Sequence, residues 1–90
     1  MSPNFPLSYY IHQAMAHATY ELLEPNSFGG RIPVCPGVVA FGTTLDECRE
    51  ELQSTLEDWI LIGLRLGHRL PVVDDADLNL KMTAVHREAV

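Results

Sequence analysis

The sequence predicts an α+β fold: a short N-terminal helix, a three-stranded antiparallel meander, one long amphipathic helix and a short strand returning to the sheet. Three observations carry this prediction. Residues 44–67, TLDECREELQSTLEDWILIGLRLG, keep a helical hydrophobic period along their whole length. Ahead of them lie short runs of β-branched and aromatic residues, separated by Pro, Gly, Asn and Ser clusters of the kind that link strands in hairpins. The strands are also grouped instead of alternating with helices, which favours an antiparallel sheet with its helices on one side.

At the N-terminus, Pro6 suits a first helical turn, where its missing amide costs little. Leu7–His17 follows as a helix with Tyr10, Ile11, Ala14 and Ala18 on one face, Met15 at its edge, and Tyr9, His12, Gln13 and Ala16 pointing away. Thr19–Glu24, TYELLE, is a first strand with Tyr20 and Leu22 on one side and Glu21 on the other. Pro25–Ser27 is a turn cluster, Gly29–Gly30 a flexible pair, and Arg31–Val34 a second strand, which should lie at an edge or leave one side unpaired at Pro33, because proline cannot donate to a ladder. Cys35–Pro36–Gly37 is a tight turn, since Pro presets one central dihedral and Gly accepts the positive φ that follows. Val38–Phe41 is the third strand, ended by Gly42–Thr43.

The long helix is specified at both ends. Thr44 with Glu47 three residues on is a capping-box pattern, Arg65 sits in the last turn and Gly67 offers a left-handed terminus. At about 100° per residue, Leu45, Cys48, Leu52, Leu56, Trp59, Ile60 and Gly63 form one apolar stripe. Glu47, Glu50, Glu51, Ser54, Glu57 and Asp58 lie opposite. Leu61 and Ile62 break this division, because they project onto the outer face and make 59–64 apolar nearly all round. Such a stretch needs cover on two sides, either from a loop or the first helix, or, the preferred reading, from another subunit. After Gly67, His68–Val73 reads as the returning strand, followed by the turn DDAD, a short strand Leu78–Met82 and a frayed tail of eight residues.

Ninety residues with 47% hydrophobic and 20% charged side chains make one globular domain, 1–90. A formal charge of −6 with only six scattered basic residues excludes a nucleic-acid binder that works by neutralising phosphates, and suits a basic protein partner. No run is long enough to span a membrane and no signal peptide opens the chain, so a cytoplasmic protein with reduced cysteines is expected.

The chemistry-bearing residues form no recognisable catalytic set. His12 and His17 point about 140° apart on a helix, and His68 and His86 lie on other segments, which supports no metal site. Cys35 and Cys48 form no C-x-x-C pair; Cys48 is a core residue and Cys35 a turn residue without an orienting group that would make it a nucleophile. Asp74, Asp75 and Asp77 could offer oxygen ligands to a divalent cation, but lack the glycine and distal glutamate of a calcium loop. No cofactor is expected.

From about Tyr20 to Pro71 the pattern is more specific. A short strand ending in Glu24 leads through Gly-Gly to GGRIPVCPGVVAFGTTLDEC, then to an acidic helix with LEDWILIGLRLG and a closing Leu-Pro. Pro36, Gly37, Val38, Gly42, Thr44, Glu47, Cys48, Trp59 and Pro71, in this order and spacing, resemble the HicB-like antitoxins of bacterial toxin–antitoxin systems, in the short stand-alone form. The resemblance implies a reduced ribonuclease H-like fold without catalytic carboxylates, which binds and neutralises a small basic ribonuclease toxin of the HicA type. It is therefore expected not to be an enzyme. On this reading Glu47, Glu50, Glu51, Glu57 and Asp58 form the acidic patch that faces the toxin, while Leu61 and Ile62 form the interface of a homo-oligomer. Many members add a C-terminal DNA-binding segment; residues 72–90 show no pair of helices that could enter a groove, so no direct nucleic-acid binding is expected. Two rival readings stand beside it: an orphan oligomeric module of the same fold with no toxin, and a metal-dependent hydrolase with Asp74, Asp75 and Asp77 as ligands.

Overall fold

The computed structural model of the chain describes residues 6–79. In chain order these form α1 (Pro6–Ala16), β1 (Thr19–Glu24), β2 (Ser27–Arg31), β3 (Val39–Gly42) and α2 (Leu45–Leu66). The α+β class and the order helix, meander, long helix are as the sequence predicts. The three strands form one antiparallel sheet in the order β1-β2-β3, and α2 packs across one of its faces.

The second strand differs from expectation. It runs through the glycine pair instead of following it, with Tyr20 opposite Gly30 and Glu21 opposite Gly29. The reason is space. A Cβ on Gly30 would lie 2.9 Å from the Tyr20 ring and 3.1 Å from the Cys48 sulfur, and a Cβ on Gly29 would lie 3.0 Å from Leu23 on the opposite face. Ile32–Val34, read as strand, instead enters two successive turns: Cys35 N–H donates to the Ile32 carbonyl (2.9 Å) and Val38 N–H to the Cys35 carbonyl (3.1 Å). The second turn has Gly37 at φ 95°, as its Pro-Gly pair requires.

Both ends of α2 form as the sequence indicates. The Thr44 hydroxyl accepts the Glu47 N–H at 3.0 Å, and the Glu47 carboxylate reaches back to Thr43, accepting its N–H at 2.8 Å and its hydroxyl at 2.7 Å. At the far end Gly67 adopts φ 74°; its N–H donates to Leu64 and the next N–H, of His68, to Gly63, a Schellman closure. Cys48, Leu52, Leu56, Ile60 and Gly63 are buried along the helix. Leu45, assigned to the same stripe, is 48% exposed because it precedes the first core contact at Cys48, and Trp59 is only half-buried at the core's edge. Tyr10 and Ala14 of α1 complete the core on one side, with Ile11 and Met15 packed against it.

The returning segment is not a fourth strand. Among the described residues it makes no pairing with the sheet; Val73 and Ala76 bond only to each other, N–H to carbonyl both ways, around Asp74–Asp75, with Asp74 at φ 54°. Leu70 instead lies against Gly63 of α2, and Leu70, Val73, Ala76 and Leu78 are buried in the core. The Asn79 side chain accepts the Leu70 N–H (2.8 Å) and donates to the Leu70 carbonyl, so one amide satisfies the backbone as a neighbouring strand would. Residues 78 and 79, expected to be extended, are helical. The rest of that expected strand, the frayed tail and His86 lie outside the described residues.

Candidate functional site

Helix α2 displays one continuous outer face, opposite its buried stripe. Glu47, Glu51, Ser54 and Asp58 run along its centre, and Leu61, Ile62 and Arg65 continue it toward the C-terminus, all exposed. Glu50 and Glu57 stand on the flank that turns toward α1. There, Glu57 accepts from Gln53 at 3.2 Å and lines, with Arg49, His12 and Met15, the crease between the two helices. Among the described residues no Lys or Arg lies within ion-pair distance of any of these carboxylates. None of them is therefore ion-paired, and the nearest guanidinium groups are those of Arg49 in the crease and Arg65 at the end of the face.

The five expected patch residues are thus brought onto one side of the molecule, but they are not equivalent. Glu47 is engaged by Thr43, whose hydroxyl and amide hold its carboxyl below the usual carboxylate range. It belongs to the helix cap first and to the surface second. Glu50, Glu51 and Asp58 have no such engagement among the described residues. Leu61 and Ile62 are 53% and 55% exposed, and neither α1 nor any described loop covers them.

The three aspartates after the returning segment do not converge on a common point. Asp74 accepts from the Gln13 amide at 2.8 Å and meets His17 Nε2 at 3.1 Å; Asp75 accepts the Tyr9 hydroxyl at 2.6 Å; Asp77 accepts the Asn79 N–H at 2.9 Å. Tyr9 and Gln13 on the outer side of α1 and His17 just past its end follow one another at four-residue spacing, so this polar row fastens α1 to the Val73–Ala76 turn. The bond to Asp75 pushes the Tyr9 phenol up, with smaller contributions from burial and the nearby aspartate charges. His12 lies in the α1–α2 crease and His68 beside Trp59 and Ile62, apart from His17. Among the described residues no three metal-ligating side chains gather.

Both cysteines are buried and unpaired. Burial pushes the thiols of Cys35 and Cys48 up, away from the reactive thiolate, with Tyr10 opposing it weakly at Cys35. The Tyr10 phenol is itself raised well beyond its ordinary range, chiefly by burial, and donates to the Pro71 carbonyl at 2.6 Å.

A second exposed surface was not singled out from the sequence: the sheet face turned away from α2. Thr19, Arg31 and Val39 form one cross-strand row and Glu21, Gly29 and Phe41 the next. Leu23 and Phe41 approach each other over Gly29, and together with Val39 border a shallow groove of about 320 Å³. The alternation of Val39, Ala40 and Phe41, two exposed side chains around a buried one, is the signal that could have located it.

No helix among the described residues is long and apolar enough to cross a membrane. No curated protein matches the chain. The crystal structure of TTHA0281 from Thermus thermophilus is similar, with 41% sequence identity and a TM-score of 0.76 over 80% of this chain and 90% of that one. The family model described as UPF0150-like matches residues 9–71, from the second turn of α1 through the returning Pro71. The chain therefore belongs to the UPF0150-like family, which is related to the HicB-like antitoxins.

Proposed function

We propose that the chain is an antitoxin-like protein, not an enzyme, that binds and neutralises a small basic ribonuclease toxin of the HicA type. The observation that carries this reading is the outer face of α2. Carboxylates that are not ion-paired among the described residues run into exposed Leu61 and Ile62, giving a charged approach surface next to an apolar anchor. A basic partner is steered to the first and loses water at the second. The family's relation to HicB-like antitoxins supports the direction of the inference. On the same reading the chain self-associates and acts in the cytoplasm without touching nucleic acid directly.

The test is recovery of the tagged chain from its native lysate with a stoichiometric small basic protein, whose ribonuclease activity the purified chain then suppresses. Reversing Glu51 and Asp58 together to Lys should weaken that binding at least ~10-fold at low salt, and the deficit should shrink as salt screens the field. A recovered protein bound equally well by the reversed variant would remove the acidic face from the reading. Recovery of the chain alone would favour an orphan module of the same fold.

A further inference from the structure

The two edges of the sheet are unlike. β1, TYELLE, carries Glu21 and Glu24, and its register slips between Leu22 and Glu24, features that deter a further strand. β3, VAFG, is without charge, proline or bulge. Ile32 N–H donates to the Val38 carbonyl at 3.2 Å, which makes Arg31–Val39 and Gly29–Phe41 non-hydrogen-bonded pairs of the ladder. The N–H and carbonyl groups of Val39 and Phe41 therefore point away from β2, and among the described residues none of them bonds to another element.

Helix α2 gives this edge its charge. The helix packs chiefly on β3 and less on β2. Its Arg49 flank turns the other way, toward α1 and within electrostatic reach of Tyr20 on β1. The helical period then puts Glu51, Thr55 and Asp58 on the opposite flank, above the free side of β3, with both carboxylates exposed. Glu47, bonded to Thr43, stands at the strand's C-terminal end. The cation nearest in the ladder, Arg31, shares the other face of the sheet with Val39.

We infer that this edge takes an extended segment of the small basic partner, added antiparallel to β3 and alternating apolar with basic residues; for the partner's charge this rests on the antitoxin reading above. The alternation follows from the pleat. Segment residues that exchange both backbone bonds with Val39 and Phe41 share their face, where those side chains are 49% and 60% exposed and accept apolar neighbours. The residue between them lies opposite Ala40, whose side chain is buried on the α2 side, and so projects beneath the helix flank that carries Glu51. Lys or Arg is the complement there. A second copy of this chain would instead set carboxylate against carboxylate at the same flank. Main-chain bonds thus supply the docking and alternate side chains the selection.

The probe is a blocked peptide, Thr-Lys-Val-Arg-Val-Lys-Thr, titrated into the isotope-labelled full chain with backbone amide shifts as the readout. The Val39 and Phe41 amides should move most. Methylating the two valine nitrogens, which face the edge, should weaken binding at least ~10-fold, whereas methylating the arginine nitrogen, which faces away, should leave it intact. Exchanging the three basic residues for Glu should weaken it at least ~10-fold at low salt, and Glu51→Lys should remove that preference while Glu57→Lys, on the α1 flank, keeps it. No shift at about 1 mM peptide, unchanged binding after valine methylation, or equal binding of the acidic peptide would overturn the assignment. The two readings fail separately. A basic ribonuclease recovered and suppressed by a chain that ignores the peptide strikes strand addition alone, and a peptide seated on β3 with no such protein recovered strikes the antitoxin reading alone.

Discussion

Helix α2 and the segment that follows it, residues 68–79, are comparable in their share of the core but are held in opposite ways. The helix is terminated by neighbours no more than five residues away: Thr44 and Thr43 with Glu47 at one end, and Gly67 and His68 with Gly63 and Leu64 at the other. The segment after Gly67 has no repeating backbone bonds. It is held by the Asn79 amide on Leu70, the Tyr10 hydroxyl on Pro71, and the row Tyr9, Gln13 and His17 on Asp74 and Asp75, partners up to 66 residues distant. The difference is one of cooperativity. A helix end is satisfied as soon as the local chain folds, whereas this segment is satisfied only after α1 has docked.

That contrast predicts a graded set of effects. Leu56 is fully buried beneath the helix, and Leu56→Ala should cost roughly 2–5 kcal/mol of global stability by denaturant unfolding, loosening both regions together. A loss confined to one of them would break the picture of a shared core. Gly42→Ala should cost about 1–3 kcal/mol, because the added Cβ would meet the Cys48 backbone nitrogen at 2.6 Å and a helix backbone cannot step aside. Tyr10→Phe removes the donor to the Pro71 carbonyl and should cost about 1–2 kcal/mol. Its signature is regional: hydrogen exchange should speed up in 68–79 and leave the α2 amides protected. Uniform acceleration would mean that the segment and the helix unfold as one unit.

The smallest effect concerns pH. The folded-state carboxyl of Glu47 is held below its usual value near 4.5, so its contribution is present above that pH and is lost as pH falls through the lower folded value. Glu47→Gln should therefore be less stable than the wild type at neutral pH and approach it under acid. A difference that stays constant across the acid limb would show that the Thr43 bond does not depend on charge.

Legibility followed the same division. Thr44, Glu47 and Gly67 announced the ends of α2, and Pro36–Gly37 announced the turn before β3, because each acts on backbone groups within a few residues. The course of β2 was misread because Gly29 and Gly30 look like a break. Their reason to be in a strand is the Tyr20 ring, the Cys48 sulfur, Leu23 and Phe41, none of them adjacent in sequence. The DDAD run looked like a turn or a ligand set, and its partners turned out to be Tyr9 and Gln13 of the first helix and His17 just after it. The acidic patch was visible in the helical period, yet the commitment of Glu47 to Thr43 separates it from Glu51 and Asp58 only in three dimensions.

The sequence by itself therefore determined the α+β class, the length and termini of α2, and the separation of its buried and acidic faces. All of these follow from side-chain periodicity and from caps that act over short range. The tertiary structure decided that the chain after Gly67 packs as an irregular segment instead of a strand, and that Leu61 and Ile62 stand uncovered among the described residues. It also decided that β3 is left as a bare edge. These outcomes depend on which distant surfaces meet, and burial of Leu70 against Gly63 or of Tyr10 beneath Pro71 exists only once those surfaces have come together.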